Sequence, residues 1–330
     1  MKIHILFKFV EGPWGGGNQF LQGLRNYFEK VGVYESDPIN ADVVLVNSHH
    51  CLGELLRIKR RHPEKIIIHR VDGPVFLIRG KDKGIDKAIF KANNMIADGS
   101  VFQSNWSKMK CLKQGMIEPR YQEVIINAPD PQIFYPKRDV QQEDKKIRII
   151  ATSWSPNIKK GFDIYKFLDE NLDFEKYEMT FVGNSPFSFR NIRMIEPLTS
   201  SQLAEELRAH DIYITASLND PCSNSLIEAL HSGLPVVVRN SGGHPEIIGN
   251  SGVVFNGVED ICKAIDDVAK NYTKFAENIK AISMDEIGAK YYRFTKRIYD
   301  ETVEKKYVAK RVSILKSFRL VLYFKLKGAN

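Results

Sequence analysis

Short, unbroken apolar runs are the strongest constraint on what this chain can fold into. VVLV at 43–46, III at 66–68, IIA at 149–151, IYI at 212–214 and VVV at 236–238 are each too short for a helix. A strand that is apolar at successive positions must be covered on both faces, which means a parallel sheet between layers of helix. Helical spacing fills the intervals, as with Phe20, Leu21, Leu24 and Phe28. The rhythm predicts βα units and a doubly wound α/β architecture.

That rhythm runs twice. The first half carries expected strands over 2–9, 42–46, 65–69, 95–97 and 100–103, with a glycine-rich turn at 11–18 after the first of them. A polar stretch from 137 to 146, apolar only at Val140, interrupts it, and strands resume over 147–151, 178–183, 211–215 and 234–238. A chain of 330 residues suits two domains. The expected layout is a Rossmann-like domain over 1–138, a linker over 139–146, a second such domain over 147–290 and a basic helical segment over 291–330. No short-period repeat suggests a solenoid.

Composition narrows the class. With 43% hydrophobic and 27% charged residues the chain can bury a core, which excludes extended disorder. Lys8 and Glu11 interrupt the apolar start and no small-residue cleavage site follows, so a core strand fits better than a signal peptide. No apolar run reaches the roughly 18 residues that span a bilayer, and the expected location is the cytoplasm. Cys51, Cys111, Cys222 and Cys262 are scattered, with no metal-ligand spacing, so reduced thiols and no metal are expected.

Net charge is +8, and its excess is local: from Lys305 onward there are eight Lys or Arg and no Asp or Glu. Ile314, Leu315, Phe318, Val321 and Leu322 recur there at helical spacing. Two compatible readings stay open: a helix packing back on the N-terminal domain, and a basic amphipathic helix lying on an anionic membrane at its cytoplasmic face. Nucleic acid is not an expected partner, because no binding module and no basic patch interleaved with aromatics is present.

The stretch from 217 to 238 is the most informative. It reads as a strand end, a loop of small residues and a helix start, where free N–H groups and the helix dipole attract a diphosphate. Asp220 lies in the loop and Glu228 about one turn inside the helix, with seven residues between them. The first can approach a sugar and the second can accept hydrogen bonds from ribose hydroxyls.

This segment resembles the E-x7-E signature of the retaining glycosyltransferase group 1 family. Asn224, Leu226, Glu228, Ala229, Gly233, Pro235, Val236 and Val237 stand where that pattern puts them, with Asp220 replacing the usual first Glu. Ser241, Gly242, Gly243 and Glu246 are similar to the family's G-G-x-x-E turn. Gly15, Gly16 and Gly17 resemble its N-terminal glycine loop, where backbone can approach substrate. His69 resembles its strand-terminal histidine, which faces the donor sugar. Ser104 matches the serine of an A-D-x-x-x-x-x-S segment, and 126–134 is similar to N-G-V-D-x-x-x-F. Lys160 and Gly161 match the end of G-R-x-x-x-x-K-G, although no Arg precedes them.

The resemblance implies a GT-B fold, two Rossmann-like domains facing across a cleft, with a nucleoside-diphosphate sugar held mainly by the C-terminal domain and no cofactor or structural metal. Implied catalytic residues are His69, Asp220 and Lys160. Implied donor-binding residues are Gly16, Gly17, Gly183, Ser223, Asn224, Ser225 and Glu228. The implied reaction moves the sugar, with retention, to a hydroxyl of a glycan or lipid-linked acceptor in bacterial surface polysaccharide synthesis, with acceptor choice in N-terminal loops such as Trp14 and 70–83. A non-catalytic nucleotide-sugar-binding protein of the same fold is the alternative, motivated by Asp220 and the missing Arg. An NAD-dependent oxidoreductase is disfavoured because the glycines lack the G-x-G-x-x-G spacing.

Overall fold

The computed structural model describes residues 1–10, 16–80, 82–136 and 146–327. Trp14, Gly15, Lys81, residues 139–145 of the expected 139–146 linker and the last three residues lie outside the described residues. The chain divides into two units.

The first unit comprises Met1–Val10, Leu21–Ile126 and Met284–Asn330. Its elements begin with β1 (Ile3–Leu6), α1 (Gly16–Lys30), β2 (Val43–Asn47), α2 (Leu52–Arg61) and β3 (Ile66–Val71). They continue with α3 (Val75–Arg79), α4 (Lys83–Ile96), β4 (Gly99–Phe102), α5 (Asn105–Lys113) and β5 (Tyr121–Val124). The first turn of α1 sorts with the other unit. The strands form one parallel sheet in the order β1-β2-β3-β4-β5. Every residue of β1 to β4 is buried, as two-sided cover requires. On one face Val44, Val46 and Ile67 meet Leu52, Leu55 and Leu56 of α2 and Ala88, Ala92 and Ile96 of α4.

Two sequence expectations fail here for physical reasons. Residues 95–97 are not a strand: Met95 and Ile96 end α4, where Ala88, Ala92 and Ile96 keep a four-residue spacing against the sheet. The strand β5 went unread because YQEV has no apolar run, and only Tyr121 of its four residues is buried.

The second unit comprises Glu11–Phe20 and Asn127–Ser283. It holds β6 (Ile147–Ser153), a 3-10 turn (Ile158–Lys160), α6 (Phe162–Asn171), β7 (Tyr177–Gly183), β8 (Arg193–Ile195) and α7 (Ser200–Arg208). There follow β9 (Ile212–Thr215), α8 (Asn224–His231), β10 (Val236–Arg239), α9 (His244–Ile248), β11 (Gly252–Phe255), α10 (Ile261–Lys270) and α11 (Tyr272–Glu277). Its parallel sheet runs β11-β10-β9-β6-β7-β8, the Rossmann order, so direction reverses between β6 and β9. Ile149, Phe181, Ile212 and Val237 face α6 and α10, while Ile150, Val182, Tyr213 and Val238 face α7 and α8. Helices therefore cover both faces.

The units divide after Ile126, ahead of the 138 read from composition, because the next residues are tied into the second unit. Phe134 enters its core, Asn127 Nδ2 donates to Asn224 Oδ1 at 2.7 Å, and Arg208 Nη1 donates to Ile133 O at 2.9 Å. The chain returns to the first unit at Met284 with α12 (Met284–Val303) and α13 (Ile314–Leu326). Gly99 makes room for α12: a Cβ there would fall 2.5 Å from Ile298 Cδ1. Among the described residues no helix is long and apolar enough to cross a membrane.

Candidate active site

A cavity of ≈ 370 Å³ opens in the second unit at the carboxyl ends of β6 and β9, where the strand order reverses. This is where open α/β sheets bind ligands, because the loops leaving neighbouring strands diverge there. Three loops build its polar wall.

The first follows β6. Ser153 closes the strand, Trp154 is half exposed at the cavity, and the 3-10 turn delivers Lys160. Gly161 then adopts φ 86°, and a Cβ there would fall 2.3 Å from Ala216, so only glycine lets the turn lie against the end of β9. Gly183, at the end of β7, is likewise pressed on Ser153, with φ 121° and 2.0 Å from a built Cβ to the carbonyl oxygen.

The second loop carries Asp220. Its Oδ2 lies 3.1 Å from Lys160 Nζ. Burial pushes the carboxyl up, but Lys160, His244 and the Cys222 amide outweigh it and hold Asp220 below the usual carboxylate range. The turn at 241–243 fastens this loop: Gly243 N donates to Asp220 O at 2.8 Å and Asn219 N to Ser241 Oγ at 2.9 Å. Gly242, at φ 68°, leaves only 2.1 Å between a built Cβ and Asp220 O.

The third element is the start of α8. Ser223 caps it, its Oγ accepting from Leu226 N at 3.4 Å and lying 3.2 Å from Ser225 Oγ. Tyr213 Oη donates to Ser225 Oγ at 2.9 Å and stands 3.2 Å from Thr152 Oγ1. Glu228 lines the cavity one turn further along, and burial alone pushes its carboxyl up to about 7. A Cβ on Gly16 would fall 1.8 Å from Asn224 Nδ2, so the start of α1 tolerates no side chain there.

Lys160, Asp220, Gly16, Gly183, Ser223, Asn224, Ser225 and Glu228 thus all line one cavity. Gly17 does not line it, and a Cβ on Gly17 would meet nothing within 4 Å. The third implied catalytic residue is His69. It lies in β3 of the first unit, buried, with Nε2 2.8 Å from Ser48 O and Nδ1 3.2 Å from Asn93 Nδ2. Both ring nitrogens are engaged inside the unit and burial pushes the imidazole down to about 4, the environment of a neutral core histidine.

Sequence reading missed several cavity residues. Thr152 and Trp154 flank the end of β6, and Pro197, Leu198 and Leu203 supply an apolar side. Their only signal was position after a strand. Behind the lining residues, His244 was also missed: its buried Nε2 has no hydrogen-bond partner among the described residues, and its charge would act on Asp220. Among the described residues no group of three or more His, Cys, Asp or Glu is placed to hold a metal ion.

Residues 131–271, which contain this cavity's three loops, match the family described as glycosyl transferases group 1. The chain thus carries a glycosyltransferase segment in its second unit. Solved structures agree in fold with this chain at low identity. Sucrose-phosphate synthase from Thermosynechococcus elongatus is 12% identical, with a TM-score of 0.72 over 91% of this chain and 100% of that one. The catalytic domain of starch synthase IV from Arabidopsis thaliana, bound to ADP and acarbose, is 11% identical, with a TM-score of 0.71 over 90% and 99%. Anabaena HepE in complex with UDP-glucose is 12% identical, with a TM-score of 0.66 over 92% and 100%. The fold is GT-B. No curated protein matches the chain by sequence.

Proposed function

We propose that the chain transfers a sugar, with retention of anomeric configuration, from a nucleoside-diphosphate sugar to a hydroxyl of a glycan or lipid-linked acceptor of surface polysaccharide synthesis. One observation carries the reading: Lys160, Asp220, the capped start of α8 and Glu228 converge on a single cavity at the strand-order reversal. A diphosphate suits Lys160 and the α8 amides, which offer positive charge where negative charge develops. Glu228, when ionised, accepts from ribose hydroxyls. Asp220 meets the hydroxyls of the sugar.

In this reading the bond from the anomeric carbon to the diphosphate oxygen breaks, and its electron pair leaves with the nucleoside diphosphate. The acceptor oxygen attacks from the same face, and its proton passes to an oxygen of the departing phosphate. Lys160 and the α8 amides lower the barrier by stabilising that leaving group. UDP-glucose is the first donor to test, since HepE is seen in complex with it.

The test is proton NMR of the product formed from an α-linked donor and a mixed glycan acceptor pool. A new α-linkage supports the proposal, and a β-linkage overturns retention. Donor binding without release of nucleoside diphosphate favours instead the non-catalytic binding protein, which Asp220 in place of Glu first suggested.

A further inference from the structure

We infer that the outer layer of the first unit, centred on α13, is a docking surface for an anionic phospholipid bilayer. The helix has two faces. Leu320 and Phe324 are buried in the core shared with α2 and α4, and Ser317 is buried beside them in sequence. The opposite face exposes Leu315 (76%), Phe318 (65%), Leu322 (60%) and Leu326 (73%), positions three or four residues apart and so in one row. Four large apolar side chains in a continuous exposed row are unusual on a helix that already has a buried face.

Charge names the partner. Exposed Arg319 lies within the apolar row, and exposed Lys316 and Lys325 stand on its two flanks. No Asp or Glu follows Glu304 in the chain. The helices beneath add more of the same sign: α2 exposes Arg57, Arg60 and Arg61, and α4 exposes Lys83, Lys87 and Lys91. An apolar row rimmed by cations fits the boundary between lipid headgroups and acyl chains, with the row inserted and the cations at phosphate level. A second copy of this chain would bring the same positive charge to the contact and be repelled.

The layer is held in place for this role. The Asp98 carboxylate accepts from Tyr307 Oη at 2.8 Å, from Lys310 N at 2.7 Å and from Ile67 N at 2.8 Å, and pairs with Lys59 at 3.5 Å. The segment leading into α13 is thereby pinned to the sheet, so the helix presents a fixed face.

The experiment is sedimentation of the whole protein with vesicles of phosphatidylcholine alone or mixed with phosphatidylglycerol, which needs no turnover and so stands or falls apart from the transferase reading. The protein should pellet with the mixed vesicles only, and binding should weaken as salt rises. Leu315→Ser/Phe318→Ser/Leu322→Ser and Lys316→Glu/Arg319→Glu/Lys325→Glu should each lower the apparent affinity by more than about tenfold. These side chains are exposed, and an unchanged thermal unfolding midpoint checks that the variants fold. Failure of the wild type to pellet with the mixed vesicles, or equal pelleting of both variants, overturns the proposal. A dimer in light scattering that the serine variant converts to monomer, without vesicle binding, assigns the face to a second copy and also overturns it.

Discussion

Lys160 Nζ stands 3.1 Å from Asp220 Oδ2 at the cavity, although sixty residues separate them in sequence. The pair is a stored arrangement: the ammonium that would meet a diphosphate is held in position by the carboxylate that would meet the sugar. On the proposed function, an arriving diphosphate would find a cation already oriented, which is the condition for electrostatic stabilisation without reorganisation.

Removing the cation should therefore cost chemistry more than binding. Lys160→Ala is expected to lower kcat by roughly 10²–10³-fold, the usual effect of deleting one stabiliser of developing charge, with a smaller change in donor KM. Steady-state kinetics with one donor would show it. A rise in KM at constant kcat would mean that Lys160 serves ground-state binding.

The Glu228 carboxyl, pushed up to about 7 by burial, predicts a pH dependence with a definite sign. The folded chain keeps this proton at pH values where the unfolded chain has released it, so stability falls as pH rises from about 4.5 to 7. The cost is fully present above that window and absent below it. Glu228→Gln should raise stability by roughly 1–3 kcal/mol near pH 8 and change little near pH 4. Donor binding should run the other way: wild-type KM rises as pH falls below about 7, while the Gln variant shows no such break. Denaturant titrations and KM profiles over pH read the two effects.

Gly242 and Gly53 make a controlled pair. Gly242 has φ 68° and 2.1 Å from a built Cβ to Asp220 O, whereas a Cβ on Gly53, within α2, meets nothing within 4 Å. Gly242→Ala should destabilise by roughly 2–4 kcal/mol through strain and overpacking, and lower activity by moving Asp220. Gly53→Ala should be neutral or stabilising by up to about 1 kcal/mol. Unfolding midpoints and turnover of the two variants provide the comparison.

In the first unit the sensitive residue is Asp98. Asp98→Ala leaves Lys59 a buried, uncompensated charge and unties Tyr307 and Lys310, so a loss of roughly 3–5 kcal/mol is expected. Limited proteolysis should then cut at Lys305, Lys306, Lys310 or Arg311 faster than in the wild type. Unchanged cutting would show that other contacts hold this segment.

Much of this fold was legible because two-sided burial writes itself into consecutive apolar residues. Strands β2, β3, β6, β9 and β10 announced themselves in this way. The edge strands β8 and β11 did not: Arg193 and Met194 of β8 are exposed, and β11 is fully buried only at Phe255. An apolar triplet such as 95–97 cannot be told from a helix end by period alone. At the cavity, Lys160, Asp220, Ser223 and Glu228 were legible because they sit in local motifs. Tyr213 and His244 were not, since their place beside the cavity arises from strand pairing and a turn 22 residues beyond Asp220's loop, as the Asn219 to Ser241 bond spans. The role of His69 was not legible either, as a strand-borne histidine looks the same whether it faces a ligand or the Ser48 carbonyl.

The most direct test of the central claim is nucleoside diphosphate release from a panel of nucleotide sugars, with wild type beside Glu228→Ala and with a mixed glycan acceptor pool. Release from one donor is expected, raised by the acceptors and lost in the variant. Release that is undiminished in Glu228→Ala would contradict the assignment of this cavity as the donor site.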